Sequence, residues 1–332
     1  MKYYASIALV FVPAVAALAA LATYGEEHTP EPPGSERVGV SHPDGLTRHE
    51  FDDRTLLTTR VTTGDVNLDL PAFFHARVFA VLGPTPRHLA VRDDGVVYVR
   101  MRDKLPGLGT LVALQDTDGD GHADIQRRFG GAGGTAVLIE DGYLYYSTVT
   151  GVFRRKFASD ELVPRGPEEP VLTGIPDQAD HNAKALASDG QGHLFTMVGA
   201  PSNACMESPR TPGSPGQMPC PQLERQGQVY RFEIRAHQRY DRDAYSYARG
   251  LRQLVAMDWH EGALYGVQHG RDQLHFLFPE WFSPKESAEL PAEEFLLLED
   301  GFLGGWPYTY FDWRLGVRML APEYGGDGLT VS

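Results

Sequence analysis

Residues Asp116–Asp124 read DTDGDGHAD. Asp116, Asp118 and Asp120 alternate along the chain, Gly121 permits a sharp turn, and Asp124 takes the ninth place. That is the ligand order of a calcium loop: hard carboxylate oxygens at the odd positions, with the backbone carbonyl of His122 at the seventh. The twelfth place is Arg127 rather than Glu, so the spacing predicts a shorter calcium loop in a hairpin, not an EF-hand. The bland alternative is a solvated acidic turn, although three adjacent carboxylates repel one another without a cation. A second candidate is Asp180-His181 in DQADHNAKALASDG. Histidine is the side chain best suited to act as a general base near neutral pH. Against this, the chain has 12 histidines, and most surface histidines do nothing. A third is Arg252 in YARGLRQLVAMDW, a fixed cation for developing negative charge or, equally, half of a salt bridge between sheets. Gly270 in VQHGRDQLHF can present bare backbone carbonyls, and GGWPYTYFDW (304–313) reads as core or pocket wall.

These residues sit on a recurring phrase. It reads RHLAVRDDGVVYVRM around Gly95, GTAVLIEDGYLYYSTV around Gly142, AKALASDGQGHLFTMVG around Gly190 and LVAMDWHEGALYGVQHG around Gly262. Each copy is an apolar strand, an acidic-Gly turn and a second apolar strand bearing Tyr or Phe. The first two steps are 47 and 48 residues, and the third is 72 because a Pro-, Ser- and Cys-containing insertion intervenes. Hairpins repeating with a period in the forties predict an all-β fold, a β-propeller with one repeat per blade. Asp180-His181 and Arg252 then precede the inner strands of the third and fourth blades and are expected to face the central axis. Leu68–Leu82 is expected to supply lead-in strands for the first blade, and GQVYRFEI (227–234) an extra outer strand between the third and fourth. Pro284–Asp300 is expected to hold one short turn of helix. Four repeats and a partial fifth near Trp306 do not close a ring, and the ending APEYGGDGLTVS offers no closing strand, so a C-terminal truncation is expected.

The rest of the chain bounds the setting. Lys2, the apolar run Ile7–Leu21 and Ala20-Leu21-Ala22 read as a secretory signal peptide over 1–22. An uncleaved anchor is the alternative, since the run falls short of the roughly 20 residues of a span. Residues 23–65 are rich in Pro, Gly and acids and form a tether, leaving 66–332 for the propeller. A net charge of -14 argues against nucleic acid and anionic membrane surfaces. In an exported protein the two cysteines, Cys205 and Cys220, are expected to form a disulfide. Two cysteines cannot make a structural zinc site alone, and no C-x-x-C-H is present for covalent haem.

Taken together, the phrases PRHLAV…DGVVYV, DHNAKALASDGQGHLFTMVGAPSNAC, YARGLRQ, HGRDQL, and GGWPYTYFD followed by LAPEYGGDG resemble the soluble quinoprotein sugar dehydrogenases and their sorbosone dehydrogenase relatives. The resemblance runs from about Leu68 to the last residue. It implies a six-bladed propeller using pyrroloquinoline quinone (PQQ) and Ca2+, and a periplasmic or secreted enzyme that oxidises an aldose or aldehyde such as glucose or sorbosone. It implies His181 as the general base with Asp180 beside it, and Arg252 against the quinone. Gln253 stands where the family has Asn. The calcium-bearing carbonyls map onto Gly270 and Arg271. An external quinone or cytochrome is implied as electron acceptor.

Two other readings compete. One is a non-catalytic exported propeller binding a sugar or a protein partner, since fold does not fix function. The other is a lactone hydrolase with one axial metal, which needs a carboxylate and Asn cluster on the axis that these repeats do not supply.

Overall fold

The computed structural model describes residues 76–332 apart from 84, 104–106, 159–160 and 292, together with the backbone of the strands Ile7–Ala8, Thr58–Thr63 and Val66–Pro71. The signal peptide and most of the tether expected from the sequence lie outside the described residues. Residues Ala8–Phe79 form one compact unit, in which Thr58–Thr63 and Val66–Pro71 pair as an antiparallel hairpin. The chain from Ala80 to Ser332 belongs to the other unit. Of the expected lead-in over Leu68–Leu82, the strand Val66–Pro71 belongs to this hairpin, while Ala80–Leu82 belongs to the other unit, whose first blade has its first strand at Pro86–Val91.

That unit is an all-β propeller arrangement of four blades. The first blade is a four-stranded antiparallel sheet of β1 (Pro86–Val91), β2 (Val97–Met101), β3 (Leu111–Gln115) and β4 (Ile125–Phe129). The second runs β5 (Val137–Glu140), β6 (Tyr143–Ser147), β7 (Gly151–Lys156) and β8 (Glu169–Thr173). The third holds β9 (Leu186–Ser188), β10 (His193–Val198) and β11 (Gln228–Glu233). The short β12 (Gln238–Arg239) then extends the second blade in parallel with β8, and β13 (Tyr245–Arg249) completes the third. The expected extra outer strand at 227–234 is thus the third strand of its own blade, because the long insertion after β10 separates it from its hairpin partner. The fourth blade has β14 (Leu254–His260), β15 (Ala263–Gln268) and β16 (Glu294–Leu298). A parallel strand β17 (Phe302–Leu303) joins the third blade, and the hairpin β18 (Thr309–Asp312) with β19 (Val317–Leu320) follows.

The acidic-Gly phrase makes the turns after the inner strands. At Asp141-Gly142 the φ values are 46° and 74°, and at Glu261-Gly262 they are 48° and 83°. Two consecutive left-handed residues define the tight turn whose twist matches antiparallel strands, and Gly adopts that backbone without a Cβ penalty. The second strands differ in burial: all five residues of β2 are buried, while β15 alternates buried and half-buried residues.

Burial lies between blades rather than within them. Tyr98, Leu111, Val137 and Leu144 pack the first blade against the second. Tyr145, Val152, Leu194 and Phe232 join second to third, and Phe195, Val229, Leu254 and Leu264 join third to fourth. A fourth cluster gathers Met206, Leu274, Phe278, Tyr310 and Met319 around the terminal hairpin. Two short helices, α1 (Leu274–Leu277) and α2 (Pro284–Glu289), lie in the connection after β15. The second is the expected helical turn. Ser283 and Glu286 cap it reciprocally, with the Ser283 side chain accepting from Glu286 N and Glu286 accepting from Ser283 N.

Strand direction sorts the connections onto two ends. Turns from first to second and from third to fourth strands lie at one end, and the loops leading into each inner strand and joining second to third strands lie at the other. The segments 174–185, 199–227, 250–253 and 269–293 all belong to that second end.

Candidate active site

His181 occupies the loop leading into β9. Its backbone is left-handed, with φ of 51°, a conformation that a non-Gly residue holds only where its surroundings fix it. Nδ1 lies 2.6 Å from the carbonyl oxygen of Ala200. A carbonyl only accepts, so Nδ1 carries the proton and the neutral ring leaves Nε2 with a free lone pair. Burial and then the nearby Arg252 guanidinium depress the ring to about 4, so it is neutral at pH 7.

Arg252 sits in the loop leading into β14 and is 5% exposed. Nε donates to Asn203 Oδ1 at 3.1 Å, and Nη2 to Asp272 Oδ2 at 3.2 Å. The main chain ties the two loops: Ala200 N donates to Arg252 O at 2.8 Å. Gly199 lies where they cross. A Cβ there would meet Gln253 Oε1 at 2.0 Å and the His181 carbonyl oxygen at 2.5 Å, so only glycine permits the approach.

Gln253 is buried and spends its amide on backbone, donating to Ala183 O at 3.1 Å and Leu254 O at 2.7 Å. Its Oε1 has no partner. Asp180 is exposed and lies 3.6 Å from the Arg210 guanidinium. The Gly270 carbonyl accepts no hydrogen bond among the described residues, and Gly270 lines a tight pocket with Asn203, Arg252, Arg271, Trp306 and Tyr310. Arg271 is buried in a two-pronged ion pair with Glu323. Cys205 and Cys220 form the expected disulfide within the 199–227 connection.

The structure thus brings His181, Arg252, Gln253, Gly270 and Arg271 to one end of the blades. The axial channel is lined by the inner strands, including His88, Glu140, Ser188 and Asp258, and neither His181 nor Arg252 is among its walls. Both belong to the loops before the inner strands, so they stand beyond the strands that make the walls.

The loop Asp116–Asp124 joins β3 to β4 and lies at the opposite end of the blades. Asp116, Asp118 and Asp120 offer carboxylate oxygens within 4.8 Å of one another. Asp116 accepts from Gly119 N and Gly121 N, both at 2.8 Å, and the Gly121 contact above all holds its carboxyl below the usual range. His122 N donates to Asp120 Oδ1 at 2.8 Å. Asp124 turns to Thr117 instead, accepting from its N and Oγ1 at 2.7 Å. The loop and Gly270 are therefore two places, not one metal centre.

Sequence reasoning missed Asn203, Asp272 and Arg210 in this site, and Lys184 in the loop leading into β9. Asn203 is 2% exposed. It accepts from Arg252 Nε and from Asp272 N at 3.1 Å, and its Nδ2 donates to Asp272 O at 2.9 Å. Trp306 Nε1 donates to its carbonyl at 2.9 Å. Asp272 and Arg210 complete the set, with Arg210 Nη1 on Asp272 Oδ1 at 2.8 Å. Lys184 is fully buried, donates to Asn182 O at 2.9 Å and is lowered to about 8 by burial. Asn203 stood inside PSNAC, between the third-blade repeat and the first cysteine, and a buried amide beside a disulfide was the available signal.

The chain is similar in structure to the PQQ domain of pyranose dehydrogenase from Coprinopsis cinerea, with a TM-score of 0.53 and 14% identity. That match covers 69% of this chain and 55% of the other. It is also similar to a carbohydrate-active enzyme of family AA12 from Trichoderma reesei. A calcium structure of that enzyme gives a TM-score of 0.54 at 15% identity over 74% of this chain and 64% of the other. An iodide structure of it gives 0.51 and 16% over 69% and 57%. No protein-family model matches the sequence, and no curated protein does. The fold is that of the PQQ-dependent sugar dehydrogenase-like propellers. The chain spans less than two thirds of the length of these solved structures. No helix among the described residues is long and apolar enough to cross a membrane.

Proposed function

We propose that the chain is an exported, periplasmic or secreted PQQ- and Ca2+-dependent dehydrogenase of the six-bladed quinoprotein type, acting on an aldose or aldehyde such as glucose or sorbosone. The observation that carries this reading is His181: a neutral imidazole with its proton fixed on Nδ1 and a bare Nε2, standing beside a buried guanidinium.

The donor set fits the cofactor. PQQ is a planar tricarboxylate, and the pocket offers it Arg252, Arg271 and Arg318, each of which already meets one carboxylate, Asp272, Glu323 and Glu294 in turn, so the cofactor would share them, with Arg271 Nε unpartnered. Gln253 keeps an amide oxygen in reserve, and the Gly270 carbonyl, with that of Arg271 next to it, is placed to serve Ca2+, a cation that prefers oxygen. When bound, the quinone accepts hydride and Ca2+ acts as its Lewis acid. The chain's own work is narrower. His181 Nε2 takes the proton of the sugar hydroxyl as its C–H bond breaks. Arg252, with a donor set fixed by Asn203 and Asp272, stabilises negative charge without reorganising. Asp180 keeps a negative charge near the base, and the disulfide-pinned loop walls the mouth. The Asp116–Asp124 loop takes a second Ca2+ with a structural role. An external quinone or cytochrome removes the electrons.

The test is a titration of PQQ into the folded chain with Ca2+, followed by dye-linked oxidation of aldoses. Ca2+-dependent binding, with activity abolished in His181→Ala, supports the reading. Full activity in that variant removes His181 from its role. A folded chain that binds no PQQ favours the second reading, a non-catalytic propeller that binds a sugar or a protein partner.

A further inference from the structure

The fourth blade is one strand short. The first blade has four antiparallel strands, and β8 and β13 supply the fourth antiparallel strand of the second and third. Among the described residues the fourth blade has three, and β16 pairs only with β15. The strands that follow do not fill the place. β17 joins the third blade, and β18 pairs with β19, where Tyr310 and Met319 are buried in a cluster with Phe282. β16 therefore keeps an open edge, and no backbone hydrogen bond of Glu294–Leu298 runs to that side among the described residues.

An open edge shows a row of N–H and C=O groups that a further strand can pair, and proteins usually blunt it with Pro, Lys or a bulge. β16 reads EFLLL, with no Pro and no Lys, and its register with β15 is unbroken. Its two faces differ. Leu296 and Leu298 pack on the third blade. Phe295 and Leu297 stand on the other face, 72% and 46% exposed. Phe295 stacks on Tyr265 of β15 with ring centroids 5.7 Å apart, so an apolar platform already lies beside the edge.

The ends of the edge state the charge of what it takes. Glu293 precedes β16, Glu299 and Asp300 follow it, and all three are exposed. A second copy of this chain, paired through the same edge about Leu296, brings Glu293 opposite Glu299, and like charges in facing positions are destabilising. A net charge of -14 adds to that repulsion. A strand with basic ends meets opposite charges instead.

We infer that the edge of β16 is a docking site for an extended segment of another protein, apolar at alternate positions and basic at both ends. The segment adds antiparallel to β16 as a fourth strand, with its apolar side chains beside Phe295 and Leu297.

The probe is a labelled peptide, Lys-Thr-Val-Thr-Val-Thr-Lys, whose binding to the whole chain is read by fluorescence anisotropy and located by hydrogen exchange. In the antiparallel register its valines fall opposite Leu297 and Phe295 and its lysines opposite Glu299 and Glu293. The wild type is expected to bind it with new protection of the amides of 294–298, and to bind the same peptide with Glu for Lys about tenfold more weakly. Phe295→Thr and Leu297→Thr alter exposed positions, so both should melt as the wild type does, and each should weaken binding about threefold. The docking site is overturned if the peptide shows no saturable binding, if neither variant weakens it, or if the protection falls outside β16. Equal binding of the acidic peptide overturns the basic partner. A chain that is dimeric without peptide, with 294–298 already protected, gives the edge to a second copy and overturns the inference as well.

Discussion

Arg252 Nη2 lies 3.2 Å from Asp272 Oδ2, while the other oxygen of that carboxylate takes Arg210 Nη1 at 2.8 Å. One aspartate thus joins a buried guanidinium to the disulfide-pinned loop. Asp272 is half exposed, so its contribution is screened, and Asp272→Asn is expected to cost about 1 kcal/mol of stability. Urea denaturation measures this. An unchanged midpoint would show that water serves Arg252 as well as the carboxylate does.

His181 makes stability depend on pH. Its ring is depressed to about 4 in the folded chain from an ordinary 6.5. Between these values the unfolded chain binds a proton that the folded chain refuses. Stability is therefore full above about 6.5 and falls as pH drops toward 4, by at most about 3 kcal/mol. Melting temperatures from pH 7.5 to 4 should fall more steeply in wild type than in His181→Ala. Parallel curves would assign the acid sensitivity elsewhere.

Arg271 and Glu323 form a pair with side chains 4% and 0% exposed. Removing one partner strands a buried charge, so Glu323→Ala should lose about 3–5 kcal/mol. The double variant Arg271→Met/Glu323→Leu should recover most of that loss, because the ion pair itself is near break-even against apolar packing. Chemical denaturation of the wild type and the two variants measures both effects, and a double variant no more stable than the single one would contradict this.

Asp120→Asn leaves the backbone turns of the Asp116 loop in place but removes one of three gathered charges. Ca2+ affinity at the loop is expected to fall about tenfold, with little change in the end that carries His181. Isothermal calorimetry separates the two places. Two Ca2+ equivalents reduced to one strong equivalent is the expected pattern, and an unaltered isotherm would leave the loop a solvated turn.

Much of the fold was legible because its signal is local. Four acidic-Gly turns between apolar strands mark four hairpins, and the structure has four blades with those turns. The loop positions of His181 and Arg252 followed from the same phase. What could not be read was long-range. Strand β11 was misplaced because the insertion 199–227 hides its pairing with β10, and hydrogen bonds between segments far apart leave no periodic trace. Asn203 and Asp272 are 69 residues apart and carry no motif, yet their reciprocal bonds set the guanidinium of Arg252. The repeat tells which strand is innermost, but only the packed blades show that the loops before it stand beyond the channel wall.

His88 Nε2 donates to Val255 O at 2.8 Å, across 167 residues of sequence. The innermost strand of the first blade thus also meets the innermost strand of the fourth. A chain emerging from a ribosome has its first blade long before that partner exists. Closing so distant a contact is slow, because loop entropy is spent before the contact rewards it. Assembly of the channel is therefore a late event, and the four hairpins must wait for one another before the molecule has an inside.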